Sequence, residues 1–158
     1  DFRQGLTASF LFENNTVYEV ANSPRDFFRM DAGGSTNFPE VMSEITIKNN
    51  TFYNVSNGAK RFVYIRLASH EIRLINNIIA ETAAFYSNQS ATTIVEYSKN
   101  NYYNAPNFFT PDAEGKVDVD NANYTEHNPG FADPANGDFT ISHEDLTHDD
   151  IGDPRWIK

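Results

Sequence analysis

The fold can be predicted from one segment, Ile45-Thr-Ile-Lys-Asn-Asn-Thr-Phe-Tyr-Asn-Val55. It begins with alternating apolar and polar side chains, with Thr46 between Ile45 and Ile47, which is the two-residue period of a half-buried β-strand. The pair Asn49-Asn50 ends this alternation, and a second short strand-like stretch follows it. Because Asn tolerates the left-handed backbone of tight turns, the segment predicts two short strands joined at a corner.

The same pattern occurs three more times along the chain. The other copies span residues 10–20, 72–82 and 96–105, and their Asn pairs stand at 14–15, 76–77 and 100–101. Further strand-like stretches precede three of the pairs, at residues 27–31, 62–66 and 93–96. The spacing of the pairs is too irregular for a helical repeat but suits a coil whose corner loops vary in length.

The repeat predicts an all-β chain that forms a right-handed single-stranded parallel β-helix of about four rungs with a C-terminal capping segment. Helix-rich folds are disfavoured because Asn, Thr, Tyr and Phe are poor helix formers and the apolar residues alternate at every second position. An antiparallel sandwich is the alternative, since several short strands at modest spacing also form one. Equivalent residues stack on one another only if successive units run parallel, which favours the β-helix.

The repeat ends near Ala105, where the composition shifts toward Pro, Asp, Gly and Asn. We therefore expect residues 1–105 to form the rungs and residues 106–158 to form a loop-rich extension and cap of the same domain. The open end of a solenoid has to be covered. The apolar residues expected to cover it are Phe131, Phe139, Ile141, Ile151 and Trp156.

The Asn pairs themselves are predicted to be structural. An Asn at a corner accepts a left-handed backbone, and its amide can donate and accept hydrogen bonds along the stacking axis. One Asn of each pair should therefore bond to its equivalents in the units above and below. The predicted ladder consists of Asn14, Asn49, Asn76 and Asn100.

Composition excludes several classes of function. The formal charge of -10 argues against a nucleic-acid partner, because binding to phosphates requires clustered Lys and Arg. The apolar runs are far shorter than the roughly 20 residues of a membrane-spanning helix. With no cysteine in the chain, disulfides and thiolate metal sites are impossible. The chain starts at Asp1 without an initiator Met, so we expect a larger parent chain to precede it.

Two C-terminal motifs carry a family resemblance. They are Asn128-Pro-Gly-Phe-Ala-Asp-Pro-Ala-Asn-Gly-Asp-Phe-Thr-Ile141 and Ile151-Gly-Asp-Pro-Arg-Trp156. With the Asn-Asn units, they resemble the C-terminal β-helix domain of exported, pectate-lyase-like polysaccharide-locus proteins of Bacteroidetes. The resemblance implies a right-handed parallel β-helix, export to the periplasm or cell surface, and a polysaccharide as partner. Residues 142–150 depart from the pattern, because an apolar stretch is expected there.

The resemblance and the aromatic content of 14% favour an accessory or carbohydrate-binding domain of an exported glycan-handling protein, without a complete active site of its own. One alternative is the C-terminal part of a polysaccharide lyase that acts on uronate-containing glycans by β-elimination. The other alternative is a structural spacer or adhesin solenoid. No catalytic residue is assigned, and whether the chain is an enzyme stays open.

Candidate binding residues lie at outward-facing positions of the aligned strands. Tyr64 beside Arg66 is suited to stack on a sugar ring and to bind a carboxylate through the guanidinium fork. Arg73 with Tyr97 forms the second candidate pair. Alternating charges in such columns are also what a solvated ladder of ion pairs produces without any function.

No metal or cofactor is assigned from the sequence. The four histidines, His70, His127, His143 and His148, lack the spacing of a known metal motif. Calcium is the alternative, because Asp118, Asp120, Asn121 and Asn123 are clustered. That loop lacks the glycine and the terminal Glu of an EF-hand.

Overall fold

A computed structural model describes residues 7–20, 26–30, 41–56, 61–65, 67, 70–83, 92–110 and 119–158. In these ranges the chain forms ten short strands, three single-turn 3-10 helices and one short α-helix. The strands are β1 (Ser9–Glu13), β2 (Thr16–Val20), β3 (Phe28–Met30), β4 (Ser43–Lys48), β5 (Thr51–Val55), β6 (Val63–Ile65), β7 (His70–Ile75), β8 (Ile78–Ala80), β9 (Thr92–Ser98) and β10 (Asn101–Tyr103). The 3-10 helices span Pro106–Phe108, Pro134–Asn136 and Pro154–Trp156, and α1 spans Glu144–His148.

The strands form three sheets in which all neighbouring strands are parallel. The first sheet has the order β1-β4-β7-β9, the second β2-β5-β8-β10, and the third contains β3 and β6. Each strand pairs with its equivalent from the next copy of the repeat. The prediction of an all-β chain with parallel sheets is confirmed, and the antiparallel alternative is wrong for these strands.

The register follows the predicted alignment in the first three units and differs in the fourth. Phe10 pairs with Ile45, and Ile45 with Ile72, as aligned. In the fourth unit Ile72 pairs with Val95, and an irregularity interrupts the pairing at the start of β7. The alignment of Asn pairs is therefore displaced by one residue there. Alternation of core residues sets the true register, because a one-residue slip would turn every core side chain outward.

An Asn ladder runs through the units, at the second residue of the first three pairs and at the first residue of the fourth. Asn15, Asn50, Asn77 and Asn100 form it. The backbone N–H of Asn50 donates to Oδ1 of Asn77 at 3.1 Å, and the N–H of Asn77 donates to Oδ1 of Asn100 at 3.0 Å. Each amide also donates to a strand carbonyl, as Nδ2 of Asn77 does to Ile47 at 2.9 Å.

The predicted ladder is thus corrected at three of its four positions, since only Asn100 belongs to it. Asn14, Asn49 and Asn76 instead have the left-handed backbone, with φ of 58°, 54° and 60°. Lys99 is their equivalent in the fourth unit, with φ of 52°. The left-handed backbone and the ladder hydrogen bonds, which were predicted for one Asn, belong to neighbouring residues. The first residue turns the chain, and the second directs its amide along the stack.

The core lies inside the three sheets and is rich in aromatic rings. Ile47, Phe52, Phe62 and Leu74 are fully buried, and Phe52 meets Phe62 edge to face with ring centroids 4.9 Å apart. Beyond the fourth unit, the end of the core is covered by further rings. Phe108 stacks on Tyr102, and Phe109 stacks on Tyr124.

The C-terminal tail, residues 128–158, does not cover that end as predicted. Its apolar residues pack on the outer face of the second sheet, against Tyr53, Ile78, Ala80 and Tyr103. This face is apolar and requires a cover, which explains the position of the tail. Gly152 makes the closest approach, since its φ is +105° and a Cβ there would stand 2.8 Å from Cδ1 of Ile78.

Candidate functional site

The predicted sugar platform at Tyr64 is covered by the chain itself. The guanidinium of Arg61 lies 3.7 Å from the centre of the Tyr64 ring, that of Arg29 lies 5.2 Å from it, and Tyr64 is only 8% exposed. Stacking of a sugar on this ring would require Arg61 to move. Arg66, its predicted partner, lies outside the described residues.

Asp26 holds these arginines in place. Its buried carboxylate accepts hydrogen bonds from Nε and Nη2 of Arg61 at 2.9 and 3.1 Å and lies 3.6 Å from Arg29. Burial alone would raise the pKa of Asp26, but the hydrogen bonds and charges of the two arginines outweigh it and keep the pKa below its usual value. The ion-paired arginines therefore cover the Tyr64 ring of the third sheet.

The second predicted pair, Arg73 and Tyr97, is not brought together. Arg73 lies on the outer face of the first sheet, where it donates to Glu71 and, at 3.1 Å, to Glu96. Tyr97 pairs with Leu74 and packs against the core, because the fourth unit has the displaced register. Arg73 is thus part of an ion-pair ladder. The ring of Tyr97 does not lie beside it, because Tyr97 faces the core.

Two clefts lie between the corners of the units and the C-terminal tail. The first has a volume of about 410 Å³ and is lined by Asn49, Asn76, Asp150, Pro154 and Ile157. The second has about 360 Å³ and is lined by Lys99, Asn100, Ala122, Asn123, Tyr124, Thr125, Asp149 and Ile151. Asn49, Asn76 and Lys99 are the left-handed corner residues of successive units. We call these two clefts together the corner groove.

Direct hydrogen bonds fix the two walls of the corner groove to each other. Nδ2 of Asn76 donates to the carbonyl of Asp150 at 3.0 Å, and the N–H of Gly152 donates to the carbonyl of Asn76 at 2.9 Å. Outward strand positions do not reveal this groove, because it lies at the corners between strands. The Asn pairs in the sequence indicate the corner residues that form one wall of the groove. The sequence does not indicate that the C-terminal tail forms the other wall.

Two regions contain residues of metal-binding type. His127, His143 and Asp145 each offer a ligand atom, and these atoms lie within 4.8 Å of one another. Asp120 of the predicted calcium cluster is buried and accepts hydrogen bonds from the Tyr102 hydroxyl at 2.8 Å and from the Ala122 N–H at 2.9 Å. Asp120 also accepts a hydrogen bond from Nδ2 of Asn100 at 3.3 Å, so the Asn ladder ends at Asp120. Asp118 lies outside the described residues.

Comparison with known proteins identifies a family. Among the described residues, no helix is long and apolar enough to cross a membrane. No curated protein and no solved structure shows significant similarity to the chain. One family profile matches residues 45–156, which is most of the chain and includes three of the four Asn pairs. The chain therefore belongs to the family described as "Domain of unknown function (DUF5123)".

Proposed function

We propose that the three parallel sheets are the faces of a right-handed single-stranded parallel β-helix of about four rungs. Support comes from the sheet orders β1-β4-β7-β9 and β2-β5-β8-β10, in which each strand pairs with its equivalents in adjacent units. Right-handed winding is the rule for parallel strands joined by a crossover. A coil of this kind repeats its surface at intervals of about 4.8 Å, the distance between hydrogen-bonded strands.

On this scaffold, we propose that the chain is an accessory, carbohydrate-binding domain of an exported glycan-handling protein, and that the glycan lies in the corner groove. One observation carries the proposal: the two clefts follow a single column of equivalent residues, Asn49, Asn76 and Lys99. A column that repeats from rung to rung is suited to a ligand that is itself a linear polymer.

The lining of the groove has the chemistry that sugars require. Amide groups donate and accept, so Asn49 and Asn123 can bind hydroxyl groups in either sense. Pro154 and Ile157 add an apolar wall for the C–H face of a sugar ring. This mixture of apolar surface with a few polar groups is typical of small-molecule sites, and each cleft falls within their usual range of volumes.

Charge favours a neutral glycan over a uronate polymer. Among the described residues that line the groove, Asp149 and Asp150 are anionic and Lys99 is the one cation. The whole chain carries a formal charge of -10. The carboxylates of a polyuronate would be repelled by these two aspartates and by the net negative charge of the chain. A location at the cell surface or in the periplasm, within a larger parent chain, rests on the family resemblance of the C-terminal motifs.

The proposal is tested by calorimetric titration of the protein with neutral polysaccharides such as xylan, mannan and β-glucan, and with polygalacturonate and alginate. We expect saturable binding of at least one neutral polymer. Replacing Asn49 by Gly removes the amide but keeps a residue that tolerates positive φ, and should weaken binding about tenfold, the effect of losing roughly 1.4 kcal/mol.

Asn14→Gly is the matched control, because Asn14 has the same backbone conformation but lines neither cleft. It should bind the glycan like the unmodified protein. Absence of binding to every polymer would reject the proposal in favour of a structural spacer. Equal affinities of the two variants would place the glycan elsewhere.

A further inference from the structure

A cluster of His127, His143 and Asp145 contains no residue that lines the corner groove. Nε2 of His127 lies 3.6 Å from Oδ2 of Asp145, and the two imidazole rings are stacked with their centroids 4.2 Å apart. One ligand atom from each of the three residues falls within 4.8 Å of the others. Two imidazoles and one carboxylate form a donor set that is typical of zinc and other divalent transition metals.

The backbone of His127 is held firmly by a buried side chain. Oδ1 of Asn101 accepts from the His127 N–H at 2.9 Å, and Nδ2 of Asn101 donates to the His127 carbonyl at 3.0 Å. Asn101 is fully buried and also accepts from the Thr125 hydroxyl at 2.8 Å. This Asn stands where Thr16, Thr51 and Ile78 stand in the other units, so it is the fourth unit that positions His127.

The tail brings the other two residues to the same place. The N–H groups of Ser142 and His143 donate to the carbonyl of Pro129 at 3.0 and 3.3 Å, which joins the two segments of the site. Asp145 lies in α1, which is anchored by the buried Leu146. Gly130 has a φ of +60°, which favours glycine, and a Cβ there would contact the Ser142 hydroxyl unless that side chain rotated.

One further observation points to a ligand. Nδ1 of His143 is buried and has no hydrogen-bond partner within the described part of the chain. A buried nitrogen in that state costs stability unless some group satisfies the ring. Nitrogen and oxygen ligands stand about 2.0–2.2 Å from zinc, so two ligand atoms of one ion lie at most about 4.4 Å apart. The donor atoms of the three side chains lie within 4.8 Å of one another, and the stacked imidazole rings would have to rotate and move together to bind one ion.

From this geometry we propose that His127, His143 and Asp145 bind one divalent transition-metal ion of the zinc class. Three protein ligands leave a coordination position open for water or an external donor. The ion would connect the segment that follows the fourth unit to α1 of the tail, and would therefore fasten the tail to the sheets. Neither histidine has a sequence spacing that reveals this, because separate segments supply the ligands.

The test is a titration of metal-free protein with Zn²⁺ by calorimetry, with Co²⁺ absorption spectroscopy on the same protein. We expect one Zn²⁺ per chain, bound with a Kd below about 10 µM, since the three donor groups already lie close together. Saturation with Zn²⁺ should raise Tm by roughly 5 to 10 °C at about 100-fold excess over Kd. Co²⁺ should give the visible bands of a low-symmetry site with nitrogen ligands.

Variants separate the proposed site from surface binding. His143→Gln and Asp145→Asn should each weaken Zn²⁺ binding at least tenfold and abolish the rise in Tm. His148→Gln and Glu144→Gln are matched controls, because both residues are exposed and lie in α1 outside the cluster. They should bind Zn²⁺ like the unmodified protein.

The proposal is overturned if the unmodified protein takes up no stoichiometric Zn²⁺, a result that does not depend on whether any variant folds. Equal loss of affinity in the control and cluster variants also overturns it. Glycan binding is read out in a separate titration with metal-free protein, so failure of the metal proposal leaves the proposal for the corner groove intact.

Discussion

The hydroxyl of Thr16 donates a hydrogen bond to Oδ2 of Asp153 at 2.7 Å, although the two residues are 137 positions apart. Thr16 begins β2 in the first unit, and Asp153 is a fully buried residue of the tail. The N–H of Asp153 also donates to the hydroxyl of Thr51 at 3.1 Å. One carboxylate-bearing residue thus connects the end of the chain to two successive units.

Replacement of Asp153 by Asn should destabilise the protein by about 1–3 kcal/mol, because the amide cannot accept from Thr16 and Arg155 at both oxygens. Urea unfolding followed by circular dichroism measures the change. Asp149→Asn, at an exposed position of the same tail, is the control and should stay within about 0.5 kcal/mol. Equal stability of the two variants would show that the contact with Thr16 is unimportant.

Stability should decline in acid through Asp26 and Asp153. Burial raises the pKa of each, but hydrogen bonds and charges from the neighbouring arginines, with Thr16 adding a hydrogen bond to Asp153, lower both pKa values below the ordinary one. A carboxyl with a lowered folded-state pKa stabilises the fold fully above its unfolded-state pKa of about 3.9. This contribution is lost as the pH falls through the lower folded-state pKa. Urea midpoints from pH 6 to pH 2 should show the loss, and it should be smaller in Asp153→Asn.

The Asn ladder should be far more sensitive to mutation than the corner residues beside it. Asn77→Ala removes the acceptor of the Asn50 N–H and the donor to the Ile47 carbonyl, both of them buried. Two unsatisfied groups at roughly 1–3 kcal/mol each predict a loss of about 2–6 kcal/mol. Thermal unfolding measures it. Asn14→Gly, at an exposed left-handed corner, should change stability by less than about 1 kcal/mol, and a larger effect there would contradict this division of roles.

Gly152→Ala should loosen the tail. The new Cβ would stand 2.8 Å from Cδ1 of Ile78 and 3.1 Å from the Thr51 hydroxyl, at a φ of +105° that side chains disfavour. Gly137→Ala introduces a positive-φ strain with only the flexible, exposed Tyr18 nearby, so it serves as a comparison. We expect Gly152→Ala to be the more destabilised by at least about 1 kcal/mol and to show faster amide exchange in residues 150–157. Equal effects would mean that the contact with Ile78 is not tight.

Strand positions and parallel pairing were predictable because they follow from local pattern. The alternation around Ile45 and Ile72 aligned two units correctly, and the structure pairs those residues. Tyr97 was misplaced because the repeated Asn letters suggested a register that the alternation of core residues does not allow. In that unit the side chain that faces the core decides the register.

The sites were less predictable because they depend on contacts between distant segments. The sequence around Tyr64 does not show that Asp26, 38 positions earlier, binds Arg61 and holds its guanidinium over the Tyr64 ring. The apolar character of the tail is visible in the sequence, but its position follows from the outward-facing apolar side chains Ile78 and Ala80 of the second sheet, which it buries. His127 and His143 meet because Asn101 holds the backbone of His127 and the Pro129 carbonyl binds the segment of His143.

The central claim, that a neutral glycan lies in the corner groove, is tested most directly by backbone amide NMR during titration with a neutral oligosaccharide that binds. The account predicts that shift changes concentrate at Asn49, Asn76, Lys99 and Asp150, with little change at Arg73 on the outer face of the first sheet. Changes concentrated around Arg73, or spread evenly over the surface, would contradict it.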